Sequence, residues 1–199
     1  MPAEAMCRDR FFSLLSGLPS YGLKQVQTAY WLAKNVHRTQ SRDSGERYFE
    51  HPRRVALELL DHDILDARTI VDGLLHDVLE DTYTPPPVIC QLFGSDTYRD
   101  LTLLSKKLPA MDEVTGQIQG WISKLTEEYF TALMRAPHHV RLVKCADRLD
   151  NLKSCDIWPT DRIRRYRTET ERLIIPLAQI TDQDFLAKLR HELDRLRSR

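Results

Sequence analysis

Apolar residues recur at three- and four-residue intervals along nearly the whole chain, the period of an amphipathic helix, and period-two alternation is hard to find. Residues 4–16 carry a stripe of Phe11, Phe12, Leu14 and Leu15 that Gly17, Pro19 and Gly22 interrupt. A second helix is predicted over 24–38, with Val26, Ala29, Tyr30, Ala33 and Val36 inward, followed by a polar loop over 40–50. His51-Pro52 opens the next helix, because proline suits a first turn, and Val55, Ala56, Leu59 and Leu60 form its buried side. Asp66 is the expected N-cap of a central helix that runs through His76-Asp77 until Thr84-Pro85-Pro86-Pro87 stops it. A short helix ending at Phe93-Gly94 and another over 97–106 follow, then a polar loop over 108–116 and a helix over 121–134. Pro137 begins a helix carrying Val140, Leu142, Val143, Ala146, Leu149 and Leu152. A turn over 156–161, a long helix over 162–180 and an amphipathic charged helix over 184–197 complete the pattern. With no repeat, linker or low-complexity tract, residues 1–199 read as one all-α domain.

Composition narrows the functions this domain serves. Its 29 basic and 29 acidic residues balance at a pI near 7.1, so no global charge favours nucleic acid or a membrane surface. No apolar run is long enough to cross a bilayer, and the polar first ten residues do not read as a signal peptide. Cys7, Cys90, Cys145 and Cys155 are scattered and form no Cys-x-x-Cys pair, which suits reduced thiols in the cytoplasm. With the charge balanced, any basic pocket must therefore be local. The sequence leaves self-association into a homo-oligomer open.

The chemistry concentrates in Gly73-Leu74-Leu75-His76-Asp77-Val78-Leu79-Glu80-Asp81-Thr82. On one continuous helix, His76 and Glu80 share a face and Asp77 and Asp81 share the next. Ionisable groups beside an apolar core are costly unless a cation or hydrogen bonds compensate them. Taken alone, the pair also reads as a core histidine beside a solvated acidic helix end. The later helix sets Asp147 and Asn151 on one face of an otherwise aliphatic inner side, and His51 stands at a helix start. Two imidazoles and two carboxylates from neighbouring helices would suit manganese, iron or zinc better than calcium.

These residues follow the pattern of the HD phosphohydrolase superfamily. More specifically, the chain resembles the hydrolase domain of the RelA/SpoT alarmone enzymes and of small, stand-alone alarmone hydrolases. The matching pieces are Ser44-Gly45-Glu46-x-Tyr48-x-x-His51-Pro52-x-x-Val55-Ala56 and Leu74-Leu75-His76-Asp77-Val78-x-Glu80-Asp81-Thr82. Phe93-Gly94, Leu104-Ser105-Lys106, Val143-Lys144-x-Ala146-Asp147-Arg148-Leu149-x-Asn151, Glu169-Thr170 and Pro176-Leu177-Ala178 follow in the same order, so the match spans about residues 24–180. The resemblance implies an HD-domain helical bundle with a metal site in its core. The activity it implies is Mn²⁺-dependent hydrolysis of (p)ppGpp at the 3′ position, giving GDP or GTP and pyrophosphate. By position, His51, His76, Asp77 and Asp147 would hold one Mn²⁺, and Glu80 and Asp81 would activate and orient the attacking water. Arg42, Lys144, Arg148, Asn151 and Ser154 would contact the nucleotide. The short stretch after Ala178 implies a hydrolase-only member.

Three residues depart from the family pattern. Asp43 replaces a lysine, Asp150 replaces the histidine of Arg-Leu-His-Asn, and Ile174 stands where tyrosine is usual; all three bear on base and phosphate preference. The alternatives are an HD phosphohydrolase acting on another nucleotide, such as a 2′-phosphatase of NADPH, and a non-catalytic nucleotide-sensing module. His37, His138, His139 and His191 read as surface or capping residues, and Trp31, Trp121 and Trp158 as packing residues.

Overall fold

The computed structural model describes residues 3–112 and 114–197. The expectations for Met1 and Pro2 lie outside them.

Eleven α-helices and one β-hairpin are described: α1 (Ala3–Leu14), α2 (Ser20–Val36), α3 (Glu50–Leu60), α4 (Ala67–Leu75), α5 (Val78–Asp81), α6 (Pro86–Leu104), β1 (Lys107–Met111), β2 (Ile118–Ser123), α7 (Thr126–Met134), α8 (His138–Ser154), α9 (Thr160–Glu169), α10 (Ile175–Gln179) and α11 (Gln183–Arg197). The all-α expectation holds but for that hairpin. The centre is α8, which packs against α3, α4, α6, α7, α10 and α11. Val140, Val143, Ala146, Leu149 and Leu152 on α8 are fully buried. They meet Val55, Ala56 and Leu59 of α3 and Ile70, Leu74 and Leu75 of α4 in one continuous core.

Local chemistry sets most boundaries where the pattern places them. Asp66 caps α4, accepting from the Thr69 backbone N–H at 2.9 Å and from its hydroxyl at 2.7 Å. Gly94, at φ 89° and ψ 166°, divides α6 into two helical halves, a conformation that glycine adopts without a Cβ penalty.

Three expectations are corrected. First, the central helix is not continuous: α4 ends at Leu75, His76 and Asp77 form a turn, and α5 restarts from Asp77, whose carbonyl accepts from Asp81 N–H at 2.9 Å. Second, the segment expected as a loop and then a helix from 121 is the β1–β2 hairpin, pairing Pro109 with Trp121 and Leu108 with Ile122. Its turn is held by Asp112, whose Oδ1 accepts from the backbone of Val114 and Thr115, while Gly116 adopts φ 67°. The strands are short, contain Pro109 and Gly120, and are bulged at Ala110/Met111, which leaves little alternation to read. Third, the long helix over 162–180 is interrupted by a π turn at Thr170–Ile174. Pro176 lacks the N–H that the α-helical ladder would use there, and the turn just before it widens.

Candidate metal centre

His51 enters on the first turn of α3, His76 and Asp77 on the turn between α4 and α5, and Asp147 in the middle of α8. His51 Nε2 lies 3.2 Å from His76 Nε2, 3.6 Å from Asp77 Oδ2 and 3.3 Å from Asp147 Oδ1. His76 Nε2 lies 3.2 Å from Asp77 Oδ2 and 3.7 Å from Asp147 Oδ1. Donors about 2.1 Å from one ion sit about 3.0–3.5 Å apart, so the three segments converge at single-ion spacing around His51 Nε2. His51, His76 and Asp77 form the tight core of the set, and Asp147 closes it from the other side.

The outer nitrogens of both imidazoles are already engaged, which turns each Nε2 inward. His76 Nδ1 is 2.8 Å from the Gly73 carbonyl, and His51 Nδ1 is 2.7 Å from Asp150 Oδ2. Asp150 is held in turn by Arg54 Nε at 2.6 Å, and Arg54 reaches Glu46 at 2.7 Å. Burial alone would depress His76, but Asp77 and then Asp147 outweigh it and lift the imidazole to about 9. Burial would likewise raise Asp147, yet Lys144 and the two imidazoles hold it well below the usual carboxylate range. The cluster therefore keeps its carboxylates ionised and favours positive charge at its centre.

Tyr48 ties the two acidic positions together. Its hydroxyl is 2.8 Å from both Asp77 Oδ2 and Asp81 Oδ2. Its ring stacks on His37, 4.7 Å between centroids. His37 is the C-cap of α2, as one of its two expected roles has it, and is buried rather than at the surface. Asp81 also faces Lys107 at 3.3 Å, and its backbone carbonyl accepts from Gln40. Glu80 points elsewhere: its Oε2 accepts the Lys106 backbone N–H at 2.8 Å and it lines the cavity beside the metal residues. Burial first, and then the charge of Asp77, push its carboxyl above the usual glutamate range. The hairpin thus fixes α5 from outside, through Lys106, Lys107 and a Trp121 Nε1 bond of 3.0 Å to the Leu79 carbonyl.

That cavity measures about 340 Å³ and opens from the metal residues towards Arg42, Lys144, Arg148, Asn151, Trp158 and Tyr166. Arg42 is presented by the 40–50 loop, which Gly45 closes at φ 80°, and reaches Asn151 Oδ1 at 2.5 Å. Buried Lys144 stays charged against Asp147, 2.8 Å away, although desolvation opposes that charge. Arg148 stacks on Tyr166 and binds Glu169 at 2.5 Å and Thr170 at 3.0 Å on the π turn. Ser154 is not among the lining residues; its hydroxyl turns back to the Asp150 carbonyl at 2.5 Å. Trp158 packs against the core as the sequence suggests and is also a cavity wall, with Arg162 stacked on its ring at 3.9 Å. The departures also find their places: Asp43 pairs with Arg162 at 2.6 Å beside that wall, and Ile174 is fully buried. Tyr48 stands in the matching motif and Asp150 among the departures, but the contacts that give each its role, to residues far away in sequence, had no local signal.

The HD domain family model matches residues 29–182. The chain belongs to the HD domain family. Within it, the similarity is to RelA/SpoT-type hydrolase domains. It is 34% identical over 177 residues to the guanosine-3′,5′-bis(diphosphate) 3′-pyrophosphohydrolase of Aquifex aeolicus, covering 88% of this chain and 24% of that protein. It is 34% identical over 165 residues to the bifunctional (p)ppGpp synthase/hydrolase SpoT of Escherichia coli K12, covering 81% of this chain and 22% of that one. It is 37% identical over 174 residues to the GTP pyrophosphokinase rsh of Brucella melitensis, covering 86% and 22%. The chain thus spans about a quarter of the length of these curated relatives. A solved structure of a metazoan orthologue of SpoT that hydrolyses ppGpp superposes with a TM-score of 0.71 at 21% identity, covering 90% of this chain and 98% of that one, and shares the HD fold.

Proposed function

We propose that this HD domain is a (p)ppGpp 3′-pyrophosphohydrolase that uses one Mn²⁺. The observation that carries the reading is the donor cluster of His51, His76 and Asp77, with Asp147 against both imidazoles, and a separate, cavity-facing carboxylate, Glu80, at the inner end of a cationic pocket walled by Trp158 and Tyr166. His51, His76, Asp77 and Asp147 would hold the ion, whose chemistry is to acidify a bound water and offset charge developing on phosphorus. Glu80, with its raised carboxyl, would take the proton of the attacking water. Asp81 would act through Tyr48, whose hydroxyl bridges it to Asp77 and fixes that ligand's orientation. Arg42, Lys144 and Arg148 would receive the phosphates, with guanidinium forks suited to two oxygens at once. Trp158 and Tyr166 would flank the guanine. The 3′ oxygen leaves as the ribose hydroxyl and pyrophosphate departs. Cysteines dispersed along the sequence, with Cys90, Cys145 and Cys155 free, fit a cytoplasmic setting.

The test is product analysis on a nucleotide panel with and without Mn²⁺. Pyrophosphate from ppGpp, lost on chelation and in Asp77→Ala, is expected. Orthophosphate from NADPH appearing faster than pyrophosphate from ppGpp would overturn the substrate, and tight ppGpp binding without turnover would overturn the enzymatic reading.

A further inference from the structure

A second cluster of metal-ligating side chains lies away from the centre described above. Asp72 on α4, Asp100 on α6 and His139 on α8 each bring a donor atom to within 4.8 Å of the other two. Asp72 and Asp100 are fully buried. His139, expected as a surface or capping residue, instead sets its Nε2 2.9 Å from Asp100 Oδ2 and 3.7 Å from Asp72 Oδ2.

The cluster is incompletely compensated. Arg68 binds Asp100 Oδ2 from outside, at 2.5 Å and 2.7 Å. That leaves Asp100 Oδ1 and both Asp72 oxygens buried with no hydrogen-bond donor among the described residues. A carboxylate taken wholly out of water without a donor or a counter-charge is strongly disfavoured. Burial and the charge of Asp100 push the Asp72 carboxyl well above its ordinary range, so the site demands a positive occupant, either a proton or a cation. A proton on Asp72 would serve one carboxylate–carboxylate contact, whereas a cation would engage the open oxygens of both carboxylates together with His139, and an imidazole with two carboxylates is a borderline-hard donor set.

We propose that Asp72, Asp100 and His139 form a second, structural site for a divalent transition ion of the Mn²⁺ or Zn²⁺ class. The ion would take Asp72, Asp100 Oδ1 and His139 Nε2, exchanging the His139–Asp100 hydrogen bond for coordination while Arg68 stays on Asp100 Oδ2. It would clamp α4, α6 and α8 together one helical turn before His76.

The experiment is metal binding to the full chain, stripped with chelator and titrated with Mn²⁺ alone and Zn²⁺ alone, read by calorimetry and by elemental analysis after gel filtration. Wild type is expected to bind two ions, and Asp72→Asn and His139→Gln one each. His51→Ala/Asp77→Ala is expected to retain one ion, lost when Asp72→Asn is added. The remaining affinity at the second site should fall by more than about 100-fold in either single variant, beyond the loss typical of an outer-sphere change. One ion in wild type and in Asp72→Asn alike overturns the proposal. So does an Asp72→Asn chain with a higher Tm than wild type at every metal concentration, which would make a proton the occupant. If the double variant fails to fold, the comparison of wild type with Asp72→Asn decides.

Discussion

Asp150 Oδ2 sits 2.7 Å from His51 Nδ1, and the same carboxylate is gripped by Arg54. A position that departs from the family pattern therefore orients a candidate metal ligand, with its own carboxyl held below the usual range. Burial would raise it, and the His51 hydrogen bond and then Arg54 outweigh that. Asp150→Asn keeps the shape but weakens acceptance of the Nδ1–H. We expect Mn²⁺ affinity to fall about 10–100-fold, the usual penalty for losing such an outer carboxylate, measured by competition with a chelating dye. Unchanged affinity would remove Asp150 from the centre.

Glu80 faces the cavity without belonging to the donor set. Glu80→Gln preserves the hydrogen bond from Lys106 and removes the base. Turnover on ppGpp should drop about 10²–10⁴-fold while Mn²⁺ binding is retained. Single-turnover kinetics beside calorimetry separates the two. Parallel loss of metal binding would contradict the assigned role.

Arg148 is anchored on the π turn and stacked on Tyr166. Arg148→Lys keeps the charge but loses the planar fork and the stacking. The expected result is a KM for ppGpp raised about 10-fold, with kcat reduced less. A kcat defect at unchanged KM would move Arg148 away from substrate binding.

Glu58 on α3 ties that helix to α8 through Lys153 at 2.7 Å and to α11 through Lys188 at 2.8 Å. Burial would raise its carboxyl, but the two ammonium hydrogen bonds dominate and lower it. A folded-state value below the unfolded one means the contribution is complete above about pH 4.5 and is lost as pH falls through the folded value. Glu58→Gln should cost about 0.5–1 kcal/mol at neutral pH, since the lysines are partly solvated. The wild-type advantage should shrink progressively in acid denaturation profiles as pH falls below the unfolded value of about 4.5.

Some of this was legible in the chain itself. Helical periodicity, the Asp66 cap, the Gly94 break and the proline stops are local, because they depend on residues within a turn of one another. The grouping of His76, Asp77, Glu80 and Asp81 was equally visible, since they are neighbours in sequence. Tertiary structure decided what those residues face. The break at His76-Asp77 splits the predicted shared face of His76 and Glu80 between α4 and α5, and Tyr48, about thirty residues upstream, bridges Asp77 and Asp81. The hairpin escaped because half-exposed strands containing Pro109 and Gly120 carry little alternation, yet it fixes Glu80 through a single backbone N–H.

By itself, then, the sequence determined the helices, their ends and the reactive residue types, all of which follow from short-range sterics and hydrogen bonding. Only the packing of α3, α4, α6 and α8 decided that His51, His76 and Asp147 meet, that Asp150 serves an imidazole and that Asp72 is buried with no donor among the described residues. Those outcomes depend on distances between segments separated by tens of residues, which burial of the shared core sets and no local pattern encodes.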